Sequence, residues 1–425
     1  MGQHAPLGSR RWVVLATIFI NLALLYGVWY SYSVFLVALL HEFQWSRSTI
    51  AGGFSVFVLV NGAISPLIGW ITGRMGAQRI ILMGAGALGI GLSLVAQTSQ
   101  VWHLYLAFGV LSAIGLTMAG WLPSIILVRG WFLDRVGMAV GIVSAGIGVG
   151  IAVVVPLTQY LIDVWGWRWA FRILALAIGV WVLPATLWLV RDPEPEPTPP
   201  PGRDRAAAPL RSGTVRKAIQ DRRYWQLAGV FFFGNMTTQL LFVHQVAYLV
   251  DHGVAPLAAA SVGGLVGVAS IVGKVLWGGL SDRTGREVSF NWALLCLVAS
   301  LGLLVLSGSQ PTSVLPYAYA ILFGLGYAGT AVLTPAATSD LFTGPGFSSI
   351  FGSFQLVLCL GAALGSWGAG KIFDVTGSYT LALWLALGGS LAAPTLMWLA
   401  APTRPKRSAT AYVDSTVSRH SEKRW

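Results

Sequence analysis

The chain divides into twelve apolar stretches, at about 12–40, 48–72, 79–98, 103–128, 137–162, 169–190, 224–250, 256–280, 289–308, 314–340, 347–372 and 378–401. About 20 apolar residues suffice to cross a bilayer as a helix. Inside lipid every backbone N–H and C=O must find a partner within its own segment. The expectation is therefore an all-α integral membrane protein of twelve transmembrane helices. Composition agrees, with 55% hydrophobic and only 10% charged residues, where soluble domains carry about a quarter charged.

A polar stretch, Arg191 to Arg223, separates the sixth and seventh spans and contains Asp-Pro-Glu-Pro-Glu-Pro-Thr-Pro-Pro-Pro. Such composition makes a linker and not a packed domain. The expected organisation is a six-helix bundle at 1–190, a cytoplasmic linker at 191–223, a second six-helix bundle at 224–401 and a cytoplasmic tail at 402–425. If both termini are cytoplasmic, 22 of the 27 Lys and Arg residues fall inside. Only Arg47, Arg168, Arg172 and Lys371 fall outside, and Lys274 lies within a span. That asymmetry is the positive-inside rule, and it predicts a multi-pass protein of the inner (plasma) membrane. It also accounts for the net charge of +12 without a nucleic-acid partner. The first span is too long for a cleavable signal and lacks a small-residue cleavage site. Cys296 and Cys359 have no metal or redox spacing.

The two halves repeat. Gly69-Trp-Ile-Thr-Gly-Arg-Met-Gly-Ala-Gln-Arg after span 2 matches Gly278-Gly-Leu-Ser-Asp-Arg-Thr-Gly-Arg-Glu after span 8, 209 residues later. Asp163-Val-Trp-Gly matches Asp374-Val-Thr-Gly, 211 residues later. Arg10-Arg-Trp before span 1 matches Arg222-Arg-Tyr-Trp before span 7. Two related six-helix halves are the plan of alternating-access carriers, with the site between them near the midplane.

Lys274 is the one cation deep in an apolar run, residues 260–280. A Lys at the centre of a membrane helix costs about 2.5–3.5 kcal/mol on insertion scales. Such residues face a cavity or a partner and mark a substrate path. A lone cation there points to an anionic substrate. His244 in span 7 shares a helical face with Thr237, Leu241, Tyr248 and Asp251. It is either a proton-coupling group or a hydrogen-bonded structural histidine. Asp251 reads as a solvated loop residue. Cys359 and Gln355 of span 11, and Tyr30 of span 1, either line the pore or pack the core.

The Gly-x-x-x-Asp-Arg-x-Gly-Arg loop at 278–286, with the six-plus-six layout, resembles the major facilitator superfamily across almost the whole chain. In that family the acid and arginines of this loop form a conformational latch, which implies that role for Asp282, Arg283 and Arg286. The first copy keeps Arg74 and Arg79 but has Gly73 in place of the acid. Further segments are Tyr26-Gly-Val-Trp-Tyr-Ser-Tyr-Ser-Val-Phe, Arg129-Gly-Trp-Phe-Leu-Asp-Arg-Val-Gly and Gly166-Trp-Arg-Trp-Ala-Phe. They are similar to the bacterial monocarboxylate transporters and the oxalate/formate antiporter group. There a cation in span 8, usually Arg, holds the substrate carboxylate, which implies that role for Lys274. Mammalian relatives carry an Asp one turn earlier, where this chain has Ser270, so its proton role does not carry over. The resemblance also places Trp121 and Tyr327 on the pore wall, with core packing as the alternative. The oxalate carrier's second cation in span 11 is absent, so one carboxylate is favoured over two, because an unpaired buried anion is costly.

The resulting expectation is a proton-coupled symporter of a small monocarboxylate, with Lys274 or His244 linking proton to substrate. The alternatives are a carboxylate exchanger of the oxalate/formate type or a non-transporting membrane sensor. No catalytic constellation, cofactor or metal is expected, the partners being protons and the bilayer, and the chain is expected to be a monomer.

Overall fold

The computed structural model describes residues 7–193, 212–310, 313–342 and 347–400. The tail expected at 402–425, and most of the linker, lie outside them. The described residues form helices and no strand. Twelve helices are long and apolar enough to span a membrane. Spans 1–6 are Arg10–Phe43, Arg47–Met75, Ala77–Val95, Val101–Trp131, Val136–Trp165 and Trp167–Leu189. Spans 7–12 are Arg222–Asp251, Pro256–Thr284, Arg286–Ser309, Leu315–Leu341, Ser349–Thr376 and Thr380–Ala400. The end of the bundle where span 6 stops and span 7 starts is called the linker face, and the other end the distal face. A short helix, Ser212–Ile219, precedes span 7 and packs against span 11.

Five interhelix turns place a glycine at positive φ; Gly253, at 90°, joins spans 7–8, and the other four pair between the halves. Gly76, Gly166, Gly285 and Gly377 have φ of 87°, 80°, 98° and 71°. That region is closed to most side chains. Gly76 and Gly285 join spans 2–3 and 8–9, and Gly166 and Gly377 join spans 5–6 and 11–12. The repeat seen in the sequence is thus a repeat of tight turns. Span 1 breaks at Ser31, whose hydroxyl bonds the carbonyl of Gly27 and the hydroxyl of Thr158 on span 5. Span 4 contains a π-helical segment, Tyr105–Ser112, and breaks again at Gly120.

The halves meet mainly along two seams, span 2 against span 11 and span 5 against span 8. Small residues permit the approach, as is usual between membrane helices. A Cβ on Gly62 would stand 2.6 Å from the Cys359 sulfur, and one on Gly148 would stand 2.4 Å from Ile271. These close contacts run from the distal face to about mid-bundle. Beyond them, toward the linker face, Leu67, Trp70, Met138, Ile142, Val275 and Leu276 are exposed. The close glycine contacts between the halves thus lie in the distal part of the two seams.

Candidate functional site

Lys274 stands ten residues before the end of span 8, which is about 15 Å from the linker-face end of a helix about 43 Å long. Its ammonium reaches span 5, where Nζ donates to the carbonyl of Ser144 at 3.3 Å. Among the described residues no carboxylate lies within ion-pair distance of it. An ammonium has three N–H donors, and this one has a single long bond to a neutral acceptor. A cation held between the two halves, without a counter-ion among the described residues, has the capacity to pair with an anion.

Next to it, Gly273 packs on Ala328 and Leu325 of span 10. That contact brings Lys274 and Tyr327 to adjacent helices. Tyr327 bonds hydroxyl to hydroxyl with Tyr30 of span 1 at 2.8 Å. Phe242 of span 7 lies between them, 4.5 Å from the Tyr30 ring and 4.9 Å from that of Tyr327. The three residues of this aromatic plug come from three helices, spans 1, 7 and 10, and it bridges both halves on the distal side of Lys274. Trp121 opens the second segment of span 4, just after the Gly120 break, and is half-buried. The Tyr26 hydroxyl lies beside Gly120.

The remaining sequence candidates do not gather around Lys274. Ser270 is fully buried and its hydroxyl is spent on the carbonyl of Gly267, one turn back in the same helix. Cys359 is buried against Gly62 in the span 2–span 11 seam. Gln355, one turn closer to the linker face, is partly exposed.

His244 belongs to a different assembly, the distal closure. Its Nε2 meets the carbonyl of Ser366 at 2.8 Å and its Nδ1 meets the Tyr379 hydroxyl at 2.9 Å. A carbonyl only accepts, so Nε2 carries the hydrogen, and in the neutral ring Nδ1 accepts from Tyr379. The Tyr379 oxygen in turn accepts from Arg47 Nη1 at 2.8 Å. Arg47, at the start of span 2, also pairs with Asp251 at 2.9 Å and lies 3.8 Å over the Phe373 ring. Asp374 completes the closure by accepting the backbone N–H groups of Arg47 and Ser48, each at 2.9 Å. A carboxylate at a helix N-terminus meets unpaired donors and the positive end of the helix dipole. Asp251, expected to be solvated, is instead half of an ion pair between the halves. Arg47 appeared in the sequence only as an outside charge. Ion pairs 204 residues apart have no local signature, and a charge at a span end looks the same whether solvated or paired.

At the linker face the loop after span 8 forms a compact knot within its own half. Arg286 pairs with Asp282 at 2.9 Å and with Asp340 of span 10 at 3.2 Å. Arg283 and Arg79 are exposed, and Arg74 lies 3.8 Å over the Trp70 ring. Where Gly73 replaces the acid, the carboxylate comes from elsewhere. Asp192, just past span 6, accepts the N–H groups of Ala77 and Gln78 at 2.8 and 3.2 Å and so caps span 3. The sequence reading assigned Asp192 to the linker, whereas it packs with the first half.

The Major Facilitator Superfamily family model matches residues 18–366. The chain is 27% identical over 432 residues to monocarboxylate transporter 13 of Bos taurus, covering 97% of this chain and 96% of that protein. It is 30% identical over 387 residues to monocarboxylate transporter 3 of Mus musculus, covering 91% and 78%. It is also 23% identical over 391 residues to the uncharacterized MFS-type transporter YcxA of Bacillus subtilis, covering 87% and 90%. In fold it is similar to a mutant of the nucleoside transporter NupG, with a TM-score of 0.75 at 13% identity over 92% of this chain and 100% of that one. A bacterial homologue of the lysosomal transporter Spinster, inward-facing and unoccupied, gives a TM-score of 0.68 at 16% identity over 92% and 94%. The chain is thus a multi-pass membrane protein of the secondary-transporter kind, homologous to monocarboxylate transporters, and it belongs to the Major Facilitator Superfamily.

Proposed function

We propose that the protein is a proton-coupled symporter of a small monocarboxylate that works by alternating access between its two six-helix halves. The observation that carries this reading is Lys274, a cation between the halves with one 3.3 Å bond to a neutral carbonyl. A carboxylate would supply the charge and the acceptors that this ammonium lacks, and a single cation suits a single carboxylate. The homology to monocarboxylate transporters favours the same substrate class. Tyr30 and Tyr327 cap the site on its distal side, Trp121 is a further wall residue, and Gln355 stands apart from Lys274 on span 11. Cys359 belongs to the seam that opens and closes, and Ser270 supports span 8 from within.

With the linker on the cytoplasmic side, as the distribution of Lys and Arg favours, the arrangement is closed outward. Arg47, Asp251, Asp374, Tyr379 and His244 form the outer closure. Asp282, Arg283, Arg286, Arg74 and Arg79 serve the inner one. His244 would then influence proton coupling through the outer closure and not through direct contact with the substrate.

Uptake of a labelled carboxylate into proteoliposomes tests the reading. An inward proton gradient should drive accumulation in the wild type and not in Lys274→Ala. Full uptake by Lys274→Ala would refute the anion role. Counterflow that ignores the proton gradient would favour exchange over symport.

A further inference from the structure

Spans 7, 9, 11 and 12 enclose a groove of about 860 Å³ at the distal end of the second half, away from Lys274. Its walls are apolar, with Val298, Leu301 and Val305 on span 9 facing Leu383, Trp384 and Leu387 on span 12. Its distal end is polar, formed by Asp251, His252, Ser378 and Thr380. From Val298 to the end of span 9 at Ser309 is eleven residues, or about 16 Å of helix. That is half of a hydrocarbon core about 30 Å thick. The groove also opens sideways, because Val305, Leu306 and Trp384 are 51%, 55% and 65% exposed. These helices cross the membrane, so that side faces lipid.

We propose that this groove binds one acyl chain of a distal-leaflet phospholipid whose headgroup carries an amine. The depth and the lateral opening fit a chain entering from one leaflet, and the polarity changes along the groove in the sense a lipid requires. The headgroup end is built of acceptors. Asp251 keeps 34% of its side chain exposed beyond its pairing with Arg47. His252 donates Nδ1–H to the carbonyl of Tyr248 at 2.7 Å, which leaves Nε2 as an acceptor in the neutral ring. None of the residues lining the groove is Lys or Arg, and Arg47 behind them is already paired with Asp251, so the lining offers acceptors to an ammonium and no further cation to a headgroup that lacks one. The chain would pack on Tyr248, Phe373 and Tyr379. Phe373 and Tyr379 also hold Arg47, so an occupied groove braces the distal closure.

Gly302 offers the test. It lines the groove, and nothing lies within 4 Å of a Cβ placed on it. Gly302→Phe should therefore fill the groove without displacing a neighbour. Gly179→Phe on span 6, equally open, serves as the control. The purified full-length protein is incubated with phosphatidylethanolamine and phosphatidylglycerol of equal chain length, and retained lipid is counted by native mass spectrometry. The wild type should retain phosphatidylethanolamine about tenfold over phosphatidylglycerol, Gly179→Phe should match it, and Gly302→Phe should lose about nine-tenths of it. On the wild type, a phosphatidylethanolamine with a photoreactive chain should label residues 298–306 and 383–387. Equal retention of the two lipids, unchanged retention in Gly302→Phe, or labelling confined to other spans would overturn the proposal.

Discussion

Removing the Asp374 carboxylate should loosen the distal closure by an amount the geometry allows one to estimate. In Asp374→Ala, two charge-assisted bonds to the first backbone N–H groups of span 2 are lost. Hydrogen bonds to charged groups contribute roughly 1.5–3 kcal/mol each. Asp374 is solvent-exposed, which puts its bonds at or below the low end of that range. Once opened, water would take over both donors. A net loss of about 2 kcal/mol follows, or a roughly 30-fold larger population of the distally open state. Arg47 keeps Asp251 and Tyr379, so the closure weakens without collapsing. The native Cys359 reports the change, since it is buried in the span 2–span 11 seam behind the closure. In a Cys296→Ser background, alkylation of Cys359 by a membrane-impermeant maleimide added at the distal face should accelerate about 30-fold in Asp374→Ala. An unchanged alkylation rate, in a variant with the wild-type melting temperature, would refute the assignment of Asp374 to the closure.

Other substitutions separate the remaining roles. Lys274→Arg should retain part of the carboxylate binding lost in Lys274→Ala, because charge survives while the point-like ammonium does not; competition binding with a series of carboxylates measures both. His244→Phe leaves the Ser366 carbonyl without its donor and the Tyr379 hydroxyl without its acceptor, each buried loss costing about 1–3 kcal/mol. It should therefore raise Cys359 alkylation while leaving carboxylate affinity within about threefold. Asp192→Ala should lower thermal stability by about 1 kcal/mol through loss of the span 3 cap. Asp192→Asn should recover part of that loss in a melting assay.

The repeat shows how much of this molecule was legible in the sequence, and where legibility stopped. The twelve spans, the two-half repeat and the isolation of Lys274 could be read from the chain, because each follows from apolar length, from a motif recurring at a fixed offset or from one residue in its own segment. The pairs that close the distal face could not, since Arg47, Asp251 and Asp374 lie on three different spans and meet only through the packing of the halves. Asp192 was missed for the related reason that a Pro-rich polar stretch conceals the residue at its edge that still packs. The matched acids Asp163 and Asp374 carry the point further. Asp374 caps span 2 at Arg47 and Ser48, but the corresponding start of span 8 is Pro256, which has no N–H to offer. One of the two donors is thus missing, and Asp163 bonds the Gln159 amide within its own helix at 2.7 Å. The sequence repeat is therefore not a repeat of the lock. Asp163→Ala should change Cys359 alkylation less than twofold, against about 30-fold for Asp374→Ala, and equal effects of the two substitutions would mean that the closure is symmetric after all.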